Sequence, residues 1–246
     1  MTDYSYIGVG KLYARVKDAA APLAFVGNAS ALRVSITEAT KALKDYTNAG
    51  GGNYNELRRI ESMQFSMTVH DLSAANFARA VFGNSAAITA GTVTDEAITA
   101  YVGGISPTAY PIDTAVAPVV THTSGSPTYT VGTDYEVSAG GISIPTGSTI
   151  TDGQSLKVDY TKDAGNSIQA LLNSAQEYEF FFDGLNDARS GKAVLVHLFR
   201  VKLGATDGLD LIGEDYYAGT QAGEVLKDTS KNGTTVSQYF KATIVD

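Results

Sequence analysis

Three histidines, His70, His122 and His197, and an acidic run of Asp207, Asp210, Glu214 and Asp215 are the residues best suited to acid–base or metal chemistry. A catalytic or metal-binding histidine needs a second ligand or base at a fixed distance, and no HExxH, HxH or paired-carboxylate spacing surrounds any of the three. His197 lies in an apolar stretch and reads as a core or interface residue. The acidic run lacks the DxDxDG spacing of a calcium loop; it reads as a solvated rim, with weak calcium binding as the alternative. Serines are numerous, but none sits in a GxSxG elbow. Gly8-x-Gly10 and the run Gly50-Gly51-Gly52 lack both the GK[ST] ending and the strand-to-helix setting of a phosphate cradle. There is no cysteine, which excludes a disulfide framework and thiolate metal sites. The expectation is a protein with no catalytic residue, no metal and no cofactor.

What remains is the chemistry of uncharged hydrogen-bonding groups. From Ser62 to His70, Ser62, Gln64, Ser66, Thr68 and His70 alternate with Met63, Phe65, Met67 and Val69, the period-2 pattern of a strand with one covered face. Ala31 to Ala39 alternates Leu32, Val34 and Ile36 with Arg33, Ser35 and Thr37, and the two strands are expected to pair antiparallel. Between them, the stretch from Thr40 to Asn55 is polar and glycine-rich and reads as a long exposed loop. After the second strand the period changes. Ala74, Phe77, Ala78, Val81 and Phe82 form a helical stripe, with Ser73 able to cap its start and Gly83 its end. Phe77, Val81 and Phe82 are the expected packing core of that helix, which is too short to persist without a sheet beneath it.

The other elements follow the same logic. Val9 to Lys17 and Pro22 to Val26 read as short strands, and Ile88 to Tyr101 as a strand or hairpin. From Gly104 to Asp163 the chain holds all but one of its six prolines and four short strand candidates, with Gly140-Gly141 as a hairpin turn. The main body resumes with Ile168 to Phe182, the most apolar strand Lys192 to Leu203, and strands at Gly208 to Tyr217, Gly223 to Lys227 and Val236 to Val245. The expected fold is mainly β: an antiparallel sandwich or partly closed barrel with one short flanking helix over about residues 73–82. Residues 1–103 and 164–246 would form the core and 104–163 an inserted β-rich module. A chain of 246 residues with 43% hydrophobic content can bury such a core. A formal charge of −8 argues against a surface that grips DNA. No apolar run approaches the roughly 20 residues of a membrane helix, and the opening residues do not resemble a signal peptide, so a soluble protein is expected.

The order of strand, Gly-rich loop (Asp45 to Asn55), strand beginning Arg59-Ile60-Glu61, short segment LSAANFARAVFG (Leu72 to Gly83) and strand TAGTVTDEAI is similar to that of the major tail tube proteins of long-tailed, siphovirus-type bacteriophages. The resemblance spans the first hundred residues and, more loosely, the last eighty; 104–163 departs from the minimal pattern. It implies a sandwich with a flanking helix, six copies per ring, inner strands joined into one barrel around a channel, and rings stacked into a tube through which double-stranded DNA passes without specific binding. Further partners implied are the tape measure, tail tip and terminator proteins, with assembly in the host cytoplasm, residence in the virion and no membrane. Ser35, Thr37, Ser62, Gln64, Ser66 and Thr68 would face the lumen, where hydroxyls and amides hold a passing phosphate weakly. Lys44, Asp45, Tyr46, Asn48, Gly50, Gly51, Gly52, Asn53 and Tyr54 would form the ring-stacking loop, Met1 to Ser5 would order against a neighbour, and the insertion would point outward. The alternative is a monomeric lectin- or adhesin-like sandwich in which Tyr101, Tyr110, Tyr129 and Tyr135 stack on sugar rings.

Overall fold

The computed structural model describes residues 4–174, 176–206 and 208–245. Met1 to Asp3 of the expected N-terminal contact and Asp207 of the acidic run therefore lie outside the described residues. The first elements are β1 (Gly8–Val16), β2 (Ala24–Phe25), β3 (Ala29–Lys44), β4 (Asn53–Val69) and α1 (Ala74–Ala80). Next come β5 (Asn84–Ile88), β6 (Gly91–Thr99), β7 (Gly104–Pro107), β8 (Val119–His122), β9 (Glu136–Ser138), β10 (Gly141–Ile144), β11 (Ser155–Lys162) and β12 (Gly165–Gln169). The chain finishes with β13 (Glu177–Asn186), β14 (Lys192–Leu203), β15 (Gly219–Val225) and β16 (Phe240–Ile244). The fold is mainly antiparallel β with one short α-helix. Its sheets are sandwich-like, with no closed barrel among the described residues.

The chain forms two compact units, one of residues 1–84 and 168–246 and one of residues 85–167. In the first, the strand order is β2-β1-β13-β14-β15-β4-β3. β14 divides its second edge between two partners, pairing β16 through Val194 to Leu198 and β15 through Val201 to Leu203. The sheet forks there and folds over. Phe65 on β4 stacks on Phe180 on β13 with ring centroids 4.7 Å apart, although three strand steps in a flat sheet would separate them by about 14 Å. The alternation in β4 explains the fold: Met63, Phe65, Met67 and Val69 are all buried and meet Leu12, Ala14, Leu198, Val201 and Leu203 from the opposite layer.

The helix is where it was expected, and Ser73 Oγ accepts from Asn76 N at 3.2 Å as its cap. Its end and its buried face both differ from expectation. Phe82, not Gly83, takes the left-handed conformation (φ 51°), while Gly83 N donates back to Ala78 O; this is the Schellman arrangement with a costly residue in the glycine position. Phe77, Val81 and Phe82 are only half-buried, and the buried residues are Asn76, Ala78 and Ala80. Small alanine side chains let the helix approach closely. Asn76 is buried because its Nδ2 donates to Val26 O and Asp71 O at 2.7 and 2.8 Å, and its carbonyl accepts from Gln221 Nε2.

The second unit starts at Ser85 and ends at Ser167, so it is larger than the expected 104–163 module. The reason is long-range pairing: β6, expected in the main body, pairs with β11, with Ile98 opposite Leu156. Two three-stranded sheets, β6-β11-β8 and β7-β10-β9, enclose a separate core that includes Ile112, Val120, Ile142, Ile144 and Val158. β9 and β10 form the expected hairpin, but it turns at Ala139-Gly140, since Gly141 already pairs with Ser138. The expected strand over Gly208 to Tyr217 is absent; that stretch has no regular structure among the described residues.

The stack across the folded sheet sets a measurable hierarchy. Phe65→Ala is expected to cost about 3–5 kcal/mol as a buried aromatic deletion, and Phe77→Ala, from the half-buried helix face, about 1–2 kcal/mol. Urea unfolding of the two variants followed by far-ultraviolet circular dichroism checks the order, and equal losses would contradict it.

Candidate assembly surfaces

Folding β4 over the core turns its other side outward. Ser62, Gln64, Ser66 and Thr68 lie there, and the register sets Thr37 opposite Ser62, Ser35 opposite Gln64 and Arg33 opposite Ser66. The six predicted lumen residues are therefore brought together on one sheet face. That face is wider than the sequence indicated. β15 adds Thr220, Ala222 and Glu224 opposite Thr68, Ser66 and Gln64, and Thr68 Oγ1 lies 3.3 Å from Thr220 Oγ1. The missed signal was the alternation of Thr220, Ala222 and Glu224 with buried Gln221 and Val225, weakened by the intervening Gly223. Glu38, farther out on β3, lies 3.9 Å from Arg58.

The stretch read as a long loop is mostly a hairpin. β3 and β4 stay paired out to Lys44 and Asn53, and only residues 45–52 form the tip. Of the predicted stacking residues, Lys44, Asn53 and Tyr54 are thus strand residues, and Asp45, Tyr46, Asn48 and the three glycines belong to the turn. A polar ribbon needs no core, because its cross-strand hydrogen bonds satisfy the backbone. The tip is organised by Asp45: its carboxylate accepts from Thr47 N, Thr47 Oγ1 and Asn48 Nδ2 at 2.8, 2.6 and 2.9 Å. The Thr47 and Asn48 hydrogen bonds hold its pKa down at about 2. Asp45 N donates to Gly52 O, and Gly50, Gly51 and Gly52 supply three successive positive φ angles that few other residues adopt.

Beyond Ser35 and before Ser62 every strand residue of this arm is exposed, on both faces. Ile36, Leu43, Leu57 and Ile60 are each at least half exposed, and Tyr46 and Tyr54 more so. Its charges balance: Lys41, Lys44, Arg58 and Arg59 against Glu38, Asp45, Glu56 and Glu61, within a chain of net −8. The sheet also has free edges among the described residues, since β3 pairs only with β4. An apolar cleft of about 520 Å³ opens beside β3, lined by Leu12, Leu32, Val34, Phe182, Val196 and Phe240 among others.

The histidines are dispersed. His70 Nδ1 contacts Tyr217 O at 2.8 Å and His122 Nδ1 contacts Ser124 Oγ at 2.7 Å. His197 Nε2 meets Glu179 Oε1 at 2.5 Å, between the rings of Phe181 and Phe199. No three His, Asp or Glu side chains converge as a metal site among the described residues. Asp210, Glu214 and Asp215 are exposed in the irregular stretch. In the second unit, Tyr129 and Tyr135 are buried, with the Tyr135 hydroxyl donating to Pro118 O at 2.6 Å, so neither offers a face to a sugar. Tyr101 and Tyr110 are exposed, and Tyr110 is already covered by Lys162 Nζ at 4.2 Å.

A model of the family described as Protein of unknown function UCP028589 matches residues 5–243. A search of curated proteins finds no match.

The Glu179 cluster on the outer side of β13 makes a pH dependence. Burial works to raise the Glu179 pKa, but the hydrogen bonds from Arg15 and His197 outweigh it and hold the carboxyl below its ordinary 4.5. A group depressed in the folded state adds stability above its unfolded pKa and loses it as pH falls through the folded one. Glu179→Gln should therefore cost about 1–3 kcal/mol at neutral pH and flatten the loss of stability below pH 4.5. Urea midpoints across the acid range test this; parallel wild-type and variant profiles would show that the pair contributes nothing.

Proposed function

We propose that this chain, which belongs to the family of proteins of unknown function matched over 5–243, is a self-assembling structural subunit of a siphovirus-type tail tube. The observation that carries the reading is the β3–β4 arm. It projects roughly 30 Å past the last covered residues, at about 3.3 Å per residue, with aliphatic and aromatic side chains exposed on a two-stranded ribbon. Such a ribbon is marginal alone and acquires a role when further copies cover it. Its charge balance matters because a chain with a strong net negative charge repels its own copies, and the arm does not add to that repulsion.

The free edge of β3 supplies the second element, since an unpaired strand edge is a template for another chain and ring closure removes it. The face of Ser62, Gln64, Ser66 and Thr68 would then line a channel, broadened by Thr220 and Ala222. DNA would pass along it because affinity for phosphate grows with the number of cations contacted, and this face is sparse in them: Arg33 on β3, and on the opposite flank Lys202 of β14 in register with Glu224. A lectin-like reading has less to rest on, with Tyr129 and Tyr135 in the core.

Electron microscopy of purified protein should reveal rings or tubes. A variant shortened between Thr47 and Asn53 should keep the wild-type unfolding curve and form no tubes; tubes of normal length would remove the arm tip from the stacking contact. The double substitution Gln64→Lys with Ser66→Lys should assemble and raise retention of double-stranded DNA in a salt-dependent manner. Identical DNA retention would remove this face from the channel.

A further inference from the structure

Between β1, the turn that follows it, α1 and the start of β13 lies a cavity of about 300 Å³, walled largely by alanines, with Arg15, Arg79, Gln176 and Tyr178 as its polar groups. Three partly covered cations of the same unit each have a carboxylate: Arg15 with Glu179, Lys17 with Asp18 and Asp228, Arg200 with Glu177. Arg79 has none among the described residues. Its Nη1 donates to Asn76 Oδ1 at 3.1 Å, and its guanidinium carbon sits 5.5 Å from the centre of the Tyr178 ring. Its buried Nε has no acceptor. The acceptors beside it, the Asn76 amide oxygen and the Tyr178 hydroxyl, are both neutral. Burial pulls the guanidinium below its usual pKa, with the charge interaction and hydrogen bond of Tyr178 opposing. A covered cation with an unused N–H and no counter-charge is costly to keep unless something supplies the missing acceptor.

We propose that this cavity binds a single carboxylate group, taken by the Arg79 guanidinium where it lines the wall. A carboxylate matches the planar fork of a guanidinium and brings one negative charge to one uncompensated positive charge. Arg15 is already neutralised by Glu179, so a dianion would leave charge unmatched against alanine walls. The carboxylate is presented either by a small free acid or by an acidic side chain of a second copy; the second source rests on the assembly reading above, the first does not.

Acetate is the probe, with chloride at equal ionic strength as the control. In wild-type protein acetate should raise the melting temperature above the chloride value and shift the Arg79 Nε–H resonance, and Arg79→Gln should abolish the melting shift. If the protein is monomeric by sedimentation velocity while these shifts appear, the ligand is a free acid. If wild-type protein self-associates, acetate competes that association away and Arg79→Gln removes it, the ligand is a side chain of another copy. Acetate indistinguishable from chloride in both melting and resonance, with association unaltered by Arg79→Gln, overturns the proposal while leaving tube assembly intact. Wild-type protein that never associates overturns the assembly reading and leaves the acetate arm to decide this one.

Discussion

The contact of Phe65 with Phe180 is the constraint from which the main unit follows. The two rings belong to strands that are not neighbours, and they meet only because β14 hands one end of its edge to β15 and the rest to β16. That division lets one continuous sheet cover itself, so no second sheet is needed to bury Met63, Met67 and Val69. The same folding leaves the reverse of β4 outside, with β3 and β15 beside it. The polar side of the strand and its apolar side are thus one decision of the alternation, since a one-residue slip would exchange them entirely. The helix then closes one end of this arrangement through hydrogen bonds of Asn76 and Gln221 more than through its aromatic residues.

An uncovered hairpin sets the second constraint. Each residue ordered in the arm costs conformational entropy, on the order of 1–2 kcal/mol of backbone freedom, and no packing within the chain returns it beyond Ser35 and Ser62. Cross-strand hydrogen bonds and the Asp45 turn fix the shape of the ribbon but contribute little net stability in water. The proposed tube resolves this, because copies that cover Ile36, Leu43, Leu57 and Ile60 supply the burial that a single chain lacks. Ordering much of the arm before contact also lowers what association must overcome.

The parts of the fold legible in the sequence were those where one face is covered and the other wet. Ser62 to His70, Ala31 to Ala39 and the apolar strand Lys192 to Leu203 all declare themselves by period or by composition, and the helix start by Ser73. The arm was not legible because neither face is covered, so no alternation is imposed on Lys41 to Asn55, and polarity with three glycines reads as a loop. The early boundary of the second unit was hidden because β6 looks like any half-buried strand; only the distant Leu156 opposite Ile98 assigns it. Helical spacing correctly located α1 but chose its larger side chains as the core, whereas close approach to the sheet favours Ala78 and Ala80. Tyr129 and Tyr135 looked like sugar platforms because a Thr-rich setting does not reveal whether a ring points inward. The unpaired state of Arg79 is invisible at sequence level, since carboxylates are plentiful in number and none of the described ones pairs with it.

The charges on the exposed face of β15, β4 and β3 bear on how slippery such a surface is. Arg33 lies across from Ser66, and Glu224 across from Gln64 on the other flank of the same strand. Two strand spacings and two residues along separate them by about 12 Å, slightly more than a physiological screening length of ~8 Å. Cancellation at close range is therefore partial, and a phosphate beside Arg33 still feels it. Arg33, and Lys202 in register with Glu224, give a shallow salt dependence compared with the six to ten contacts of a DNA-binding surface, because the slope scales with the number of phosphates neutralised. The neutral groups between the two charges then decide the behaviour. Ser62, Gln64, Ser66, Thr68 and Thr220 exchange hydrogen bonds with water as readily as with a phosphate oxygen. In the proposed channel a strand of DNA would gain almost nothing by stopping at any one of them, and low friction follows from the absence of preference rather than from repulsion.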